Sequence, residues 1–458
     1  MKIIISGGTE LGILFAKTLV ADNDLRVIET SPKAIEQLEQ LDLQIIRGNP
    51  TGISVLQEAQ VADADIFIAC AHSDEVNVIS CLAVKQLGIA KTFCFVNKSH
   101  YFQTFAGELG EKLAIDKIIW PEMYLGEYIA QILTVPGAID VKFFENEDLK
   151  LLEFRVKTSE HGVGKMLKDL NIPKGVLVVS LVRGEEVIIP SGLTTLHRND
   201  KIIFVGHESA MRKIENRFKT GNNKNMNVVI IGGGNVGYIL GKALEPFTNI
   251  RVRIIEKSPV QAQFLAENLS ERILILNADG ADPAFLKTLQ LNECDCLVAL
   301  TGNDERNFYV SMHAKSLQAK KIITRAHFSE SIDFFEKMGV DVALSSQLNA
   351  IQSVTKQISK DSIDLFTVVE KGKAEIRETT VPSDFPPSKL MDLKLPEGII
   401  IAAIKRGGHT IVPCGQDKIK SGDHLRVFSA TDKTDVITEF LKEIIRNSAN
   451  EKETGDKQ

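Results

Sequence analysis

The stretch VVIIGGGNVG, residues 228–237, runs an apolar strand directly into a glycine turn, and IIISGGTELG, residues 3–12, writes nearly the same thing 225 positions earlier. The correspondence extends outward from there. Gly7 and Gly12 fall on Gly232 and Gly237 at an offset of 225, and Glu29 falls on Glu256 at an offset of 227. Each glutamate is followed closely by Ser-Pro, Ser31-Pro32 in one copy and Ser258-Pro259 in the other. Asn49 then falls on Asp279, and DEVN (74–77) on DERN (304–307), both at an offset of 230. The offset drifts by five residues, and the drift falls in loops and the second helix, where a duplicated fold tolerates insertions. Residues 1–218 therefore lie over 226–436 as a tandem duplication, with a period too long for a solenoid of small repeats.

Each unit has two parts. In the second unit NVVIIG reads as a strand, Gly234 onward opens a helix, and RVRIIE is a second strand. Ser258 caps the next helix, with Pro259 at its first position, where a missing N–H costs nothing. RILILN, DCLVAL and KIITRA are three more strand candidates with helical stretches between them. Continuous apolar strands alternating with helices indicate a parallel sheet buried on both faces. Such a doubly wound sheet binds its ligand beyond the carboxyl ends of its strands.

The second part of each unit changes character. LLEFRV (151–156), VLVVSLV (176–182) and KIIFV (201–205) are short strands, with one amphipathic helix expected near 164–170. FTVVEKG (366–372), GIIIAAIKRGG (398–408), TIVPCG (410–415) and DHLRVFSA (423–430) repeat the pattern. This predicts a small α+β domain of roughly 60–70 residues, a size marginal for a lone domain. TGNNKN (220–225) reads as the linker between units, and the polar NSANEKETGDKQ (447–458) as a disordered tail.

Composition narrows the function classes. The 458 residues are 44% hydrophobic and 25% charged, as in an ordinary globular protein. A net charge of −6 argues against a nucleic-acid binder, which carries a basic excess. No apolar run approaches the roughly 18 residues of a membrane span, and the chain opens on a strand rather than a signal-peptide pattern. A cytoplasmic protein is expected, with any membrane contact made through a partner. The cysteines at 70, 81, 94, 294, 296 and 414 form no C-x-x-C pair and read as reduced thiols.

The glycines of the second unit have separable tasks. Gly232 permits a tight turn, Gly234 lets the backbone approach a pyrophosphate, and Gly237 lets the helix lie close to the sheet. Such a triplet alone is a weak signal, and a plain packing cluster would look the same. Glu256, at the end of the second strand, strengthens it, because a carboxylate there can accept two ribose hydroxyls. It also disfavours a 2′-phosphate, so NAD is preferred over NADP. The first unit departs from this pattern. Thr9 stands at the close-approach position, and Ala71 and Phe95 stand where the second unit has Thr301 and Arg325, a hydroxyl and a guanidinium suited to phosphate or ribose. DEVN and DERN each open a helix after the fourth strand, where acids suit a helix N-terminus and could also line the pocket. No histidine-centred constellation, clustered metal-ligand spacing, nucleophile elbow or Walker lysine appears. No catalytic residue and no metal ligand is therefore assigned. A dehydrogenase would need a general acid and a larger substrate domain; a scaffold with two degenerate sites would not keep the second unit's motif.

The glycine stretch 232–237, Glu256, NADGADPAFL (277–286), TGNDERN (301–307) and Arg325, on duplicated pairs of sheet domain and small module, resemble the RCK (KTN) family of cytosolic regulators of potassium channels and transporters. The resemblance covers nearly the whole chain. It implies an α/β protein with two Rossmann-like doubly wound parallel-sheet domains, at 1–122 and 228–346, each followed by a small α+β C-terminal domain, at 143–227 and 368–449. It implies a regulatory gating-ring subunit that binds NAD(H), or ATP and ADP, without turning it over. Gly232, Gly233, Gly234, Asn235 and Val236 would meet the diphosphate, Glu256 the adenosine ribose, Asp279 and Gly280 the adenine. Thr301 and Arg325 would lie near the phosphates or second ribose. The corresponding positions of the first unit are Gly7, Gly8, Thr9, Glu10, Leu11, Glu29, Asn49, Pro50 and Ala71. Their departures leave an adenosine-only ligand open there. The implied partner is an integral-membrane potassium channel or transporter subunit of the TrkH or TrkG type. The implied assembly is a homo-oligomeric ring, dimer or tetramer, peripheral to the inner membrane face, serving potassium transport by symport.

Overall fold

The computed structural model describes residues 1–430 apart from 22, 89, 114, 145–147, 185, 219–224, 329, 360–364, 370–373, 384 and 394. The linker at 220–225 lies largely outside the described residues, as does the whole tail at 447–458. The chain forms two compact units. One is Met1–Ala130 with Asn223–Val354; the other comprises the described residues of Gln131–Asn222 and Thr355–Gln458.

The first unit holds both doubly wound sheets. In the first repeat the strands are Lys2–Ser6, Asp24–Glu29, Gln44–Arg47, Ile66–Ala69, Lys91–Phe95 and Lys117–Ile119. In the second they are Met226–Ile231, Ile250–Glu256, Leu274–Asn277, Cys296–Ala299, Ile322–Arg325 and Val342–Leu344. Both sheets run third–second–first–fourth–fifth–sixth, with every pairing parallel. The first strand is central: Ile5 pairs with Val27 on one side and Ile68 on the other, as Ile230 does with Ile254 and Val298. Helices cover both faces, so Ile3, Ile4 and Ile5 are all fully buried. That two-sided burial is why these strands read as unbroken apolar runs. Strand order reverses between the first and fourth strands, which opens a crevice beyond their carboxyl ends.

The second unit holds the two small modules, and their five-stranded antiparallel sheets share one topology. Leu149–Arg155, Val176–Arg183 and Lys201–His207 form the centre of one, and Ala374–Thr380, Ile399–Arg406 and His424–Ala430 the centre of the other. Alternate residues of these strands serve two cores. Leu152, Phe154 and Phe204 face the helix Glu208–Phe218, meeting Met211, Ile214 and Phe218. Leu151, Val179, Ile203 and Val205 face the other module, meeting Ile376, Ala402, Ala403 and Phe428. Each module thus buries against its copy the face that so small a domain could not cover alone. A bidentate ion pair recurs in each: Arg183 with Asp200 at 3.0 and 2.8 Å, and Arg406 with Asp423 at 2.6 Å twice.

One expectation fails here. Residues 164–170 are not an amphipathic helix; only Leu167–Asp169 makes a single 3-10 turn. Gly162 and Gly164 both take positive φ, at 107° and 80°, which interrupts any helix entering from that side. The module's amphipathic helix is Glu208–Phe218.

Candidate functional site

In the second repeat the apolar strand Met226–Ile231 ends at Gly232, whose φ of 106° only glycine adopts without strain. A Cβ there would also sit 3.0 Å from the Thr301 amide. Gly237 is required for a different reason, because its Cβ would fall 2.2 Å from the Gly232 carbonyl oxygen. Gly234 is required for neither. Its φ is −65°, open to any residue, and a Cβ on it would meet nothing within 4 Å. It stands at the N-terminus of the helix Asn235–Leu244, which no side chain caps. The fold therefore supplies an uncovered helix N-terminus, with its outward-facing N–H groups, beneath open space.

The other expected site residues stand at the carboxyl ends of the neighbouring strands or just after them. Glu256 accepts from the Gly233 amide at 2.7 Å and from the Ser258 amide at 2.7 Å, one bond per oxygen, which fixes its carboxylate and leaves lone pairs for further donors. Gln261 donates to the Gly233 carbonyl at 2.7 Å, bracing the loop from the next helix. Asp279 opens the turn after the third strand and accepts from the Ala281 amide at 3.0 Å; Gly280 is pressed onto Ile231. Asp279 is also held by Lys257 at 3.0 Å and by the Arg306 guanidinium. Asn307 joins the fourth and fifth strand ends, accepting from the Thr301 amide and hydroxyl at 2.8 and 2.7 Å and donating to the Arg325 carbonyl at 3.0 Å. Buried Val236 anchors the loop helix in the core.

The first repeat builds the same frame and finishes it differently. Gly7 takes φ 109°, and the Gly8 amide donates to Glu29. Burial works to raise the Glu29 carboxyl, but the Ser31, Gly8 and Thr30 amides outweigh it and hold it below its usual range. Thr9 has nearly the backbone of Gly234, φ −66° and ψ 171°. Its hydroxyl donates to the Cys70 carbonyl at 2.8 Å and accepts from the Gly12 amide at 3.2 Å. The threonine thus caps its own helix and consumes an N–H that stays uncapped in the second repeat. Leu11 is buried like Val236, and Glu10 stands half-buried at the position of Asn235. Asn49 makes the turn of Asp279, accepting from the Thr51 amide at 3.0 Å beside a buried Pro50. The Ala71 amide donates to Asn77 at 2.7 Å. Phe95 is not in the crevice: its ring is buried edge-on against Phe15, with centroids 5.5 Å apart.

The acids of DEVN and DERN brace the fifth strand. Asp74 accepts from the Asn97 and Lys98 amides at 2.8 and 3.0 Å, and Asp304 from His327 and Phe328 at 2.7 and 3.2 Å. Among the described residues no group of three or more His, Cys, Asp or Glu could hold a metal ion. No helix among them is long and apolar enough to cross a membrane.

The TrkA-N domain family matches residues 3–121 and again 228–346, and the TrkA-C domain family matches 151–219 and 377–442. The chain belongs to the TrkA family. It is 31% identical over 451 residues to Trk system potassium uptake protein TrkA homolog 1 of Methanosarcina mazei, covering 96% of this chain and all of that one. It is 30% identical over 443 residues to the Archaeoglobus fulgidus TrkA homolog, covering 96% of this chain and all of that one. It is 29% identical over 445 residues to Haemophilus influenzae TrkA, covering 94% and 96%. In fold it is similar to the GsuK RCK domain, with a TM-score of 0.59 at 18% identity over 96% of this chain and 95% of that one. It is likewise similar to the GsuK channel bound to NAD, with a TM-score of 0.60 at 18% identity over 96% and 79%.

Around the crevice of this TrkA-family chain stand four residues that the sequence did not assign individually, Arg306 among them although DERN as a stretch was expected there. Lys257 and Arg306 hold Asp279, Gln261 holds the loop, and Glu122 reaches in from the other repeat. Arg306 had a signal: it is the residue by which DERN differs from DEVN, and the aspartate it holds is the residue by which Asp279 differs from Asn49. Glu122 had none, since nothing in its own neighbourhood points 113 positions along the chain. Its carboxylate accepts from Asn235 at 2.7 Å and pairs with Arg325 at 3.0 Å.

Proposed function

We propose that this chain is the nucleotide-binding regulatory subunit of a Trk-type potassium uptake system. The second repeat binds NAD(H), or ADP and ATP, and the bound state biases a membrane potassium subunit of the TrkH or TrkG type. One observation carries the site: a glycine that the fold does not need, Gly234, beneath open space at an uncapped helix N-terminus. That space suits a diphosphate, which the helix dipole and the backbone N–H groups would stabilise. Gly232 to Val236 would hold the diphosphate, and Thr301 and Arg325 would reach its oxygens or the second ribose. Glu256, fixed by two amides, would accept the adenosine ribose hydroxyls, and Asp279 and Gly280 would flank the adenine. The carboxylate repels a 2′-phosphate, which favours NAD over NADP.

The first repeat keeps Glu29 and the turn at Asn49 but spends Thr9 on its own helix, so it is the weaker or adenosine-only site. The nucleotide is a regulatory ligand and is not consumed. It shifts the arrangement of the lobes only by its differential affinity for the two states, about 1–3 kcal/mol per coupled site. The chain acts as a homo-oligomeric ring, dimer or tetramer, in the cytoplasm, docked to the inner membrane face through its partner. Its four domains are taken as 1–122, 143–227, 228–346 and 368–449, the last running beyond the described residues. The test is to purify the chain with its membrane subunit, identify bound nucleotides by mass spectrometry, and measure potassium flux with and without NADH and ADP. Nucleotide-dependent flux is expected. Flux indifferent to nucleotide, or steady NADH oxidation by the chain, would overturn the reading.

A further inference from the structure

We propose that Glu122 of the first repeat is a built-in competitor for the anionic part of the second repeat's ligand, so that phosphate binding there must open the Glu122–Arg325 pair. This rests on the reading of the second repeat as a nucleotide site. Glu122 follows Pro121 at the start of the helix Pro121–Thr134. One of its oxygens takes the Asn235 amide group at 2.7 Å, and the other takes the Arg325 guanidinium at 3.0 Å. Asn235 is the first residue of the glycine-loop helix, and Arg325 ends the fifth strand. A single carboxylate therefore bridges two of the groups assigned to the ligand's phosphates and second ribose. The Arg325 and Glu122 side chains are only 13% and 21% exposed, so solvent screens the pair weakly. A carboxylate and a phosphate at one guanidinium repel each other, so an incoming phosphate competes with the carboxylate it finds.

The carboxylate cannot simply drift aside with its helix. Gly126, one turn further on, approaches the second repeat so closely that a Cβ on it would lie 2.7 Å from Ile239. Tyr124 bonds Ser353 from the same helix. Displacement is therefore either a side-chain rotation of Glu122 or a movement of this docked helix against the helix Asn235–Leu244. Either way, ligand charge in one repeat is felt at a residue of the other.

The duplication supplies an independent observation. At offsets of 225 and 230, the counterparts of Glu122, Asn235 and Arg325 are Gln347, Glu10 and Phe95. All three positions differ together: the acid becomes neutral, the neutral amide becomes an acid, and the guanidinium becomes a buried ring. A carboxylate-for-phosphate exchange is thus available to the second repeat's site alone.

Isothermal titration of the full chain, freed of nucleotide and carrying Glu29→Ala to silence the first repeat, tests this with ADP and with adenosine as probes. Glu122→Gln keeps the shape and removes the charge. It should tighten ADP by about tenfold, in the range of close charge-pair couplings, and leave adenosine unchanged. Glu122→Ala should do the same, which keeps the test alive if one variant folds poorly. In an Arg325→Gln background the gain should vanish. If ADP binds wild-type Glu122 and Glu122→Gln equally, or the variant more weakly, the competitor reading is wrong while the nucleotide site stands. If neither chain binds ADP or adenosine, both readings fall.

Discussion

Gly234→Thr writes the first repeat's spelling into the second and separates what the fold needs from what a ligand needs. Thr9 already occupies this backbone geometry, with φ and ψ that Gly234 nearly shares, so the substitution introduces no strained conformation. Beyond its own chain neighbours, no atom lies within 4 Å of the added Cβ. Threonine and glycine are about equal as N-caps, and replacing glycine without strain gains about 0.4–1 kcal/mol by restricting the unfolded chain. The expected stability change is thus between zero and about +1 kcal/mol, a rise in Tm of at most about 4 °C for a body of this size. Ligand binding should move the other way. The methyl fills the approach path, and the hydroxyl takes the Gly237 amide as Thr9 takes Gly12. Losing one or two charge-assisted bonds to a diphosphate, about 1.5–3 kcal/mol each, predicts at least a tenfold weaker affinity for NADH or ADP. Gly237→Ala is the contrasting variant. Its Cβ lies 2.2 Å from the carbonyl of Gly232, whose own N–H is tied to Ile255 at 2.9 Å, so overpacking of about 1–3 kcal/mol or more is expected. Thermal melts and calorimetry on both variants decide the matter. A Gly234→Thr chain that melts well below wild type, or binds nucleotide undiminished, would refute the assignment of Gly234 to a ligand.

Further outcomes follow from the same contacts. Glu256→Ala should abolish most nucleotide binding by calorimetry while Glu29→Ala removes less; equal losses would make the two sites equivalent. Arg306→Met should leave Asp279 held by Lys257 and the Ala281 amide alone and weaken adenine-containing ligands several-fold with little change in Tm; an unchanged affinity would remove Arg306 from the site. Asp200 and Asp423 are penalised by burial, but the Arg183 and Arg406 guanidinium groups outweigh it and hold both carboxyls below 3.8 in the folded state. Their contribution is therefore complete above that pH and lost as pH falls through the lower folded values. Melts from pH 5 to pH 2.5 should show an acid-induced drop that shrinks in the Asp423→Asn variant, and a drop of unchanged size would count against the pair. Gly126→Leu should push helix Pro121–Thr134 off Ile239 and lower stability by about 1–3 kcal/mol.

Much of this protein is legible in the sequence because the information is local or repeated. Gly-x-Gly followed by a helix and then a glutamate at a strand end states a local backbone geometry, and Gly232, Gly237 and Glu256 take the positions their spacing implies. Unbroken apolar runs state burial on two faces, which both the parallel sheets and the small modules meet. The duplication makes each departure visible, since Thr9 against Gly234 is a comparison the chain makes with itself. The expected helix at 164–170 fails for a local reason too, because Gly162 and Gly164 at positive φ outweigh a helical apolar spacing. What only tertiary structure decides are contacts between residues far apart in the chain. Phe95 reads as a replacement within the pocket, yet its ring turns into the core against Phe15, because an apolar ring gains more from burial there than from an open crevice. Arg183 and Asp200 leave no trace in any pattern of hydrophobicity. Glu122 is the clearest case. Its sequence context is an ordinary helix start, and its significance comes from the close packing at Gly126, which carries one carboxylate to the guanidinium of the other repeat.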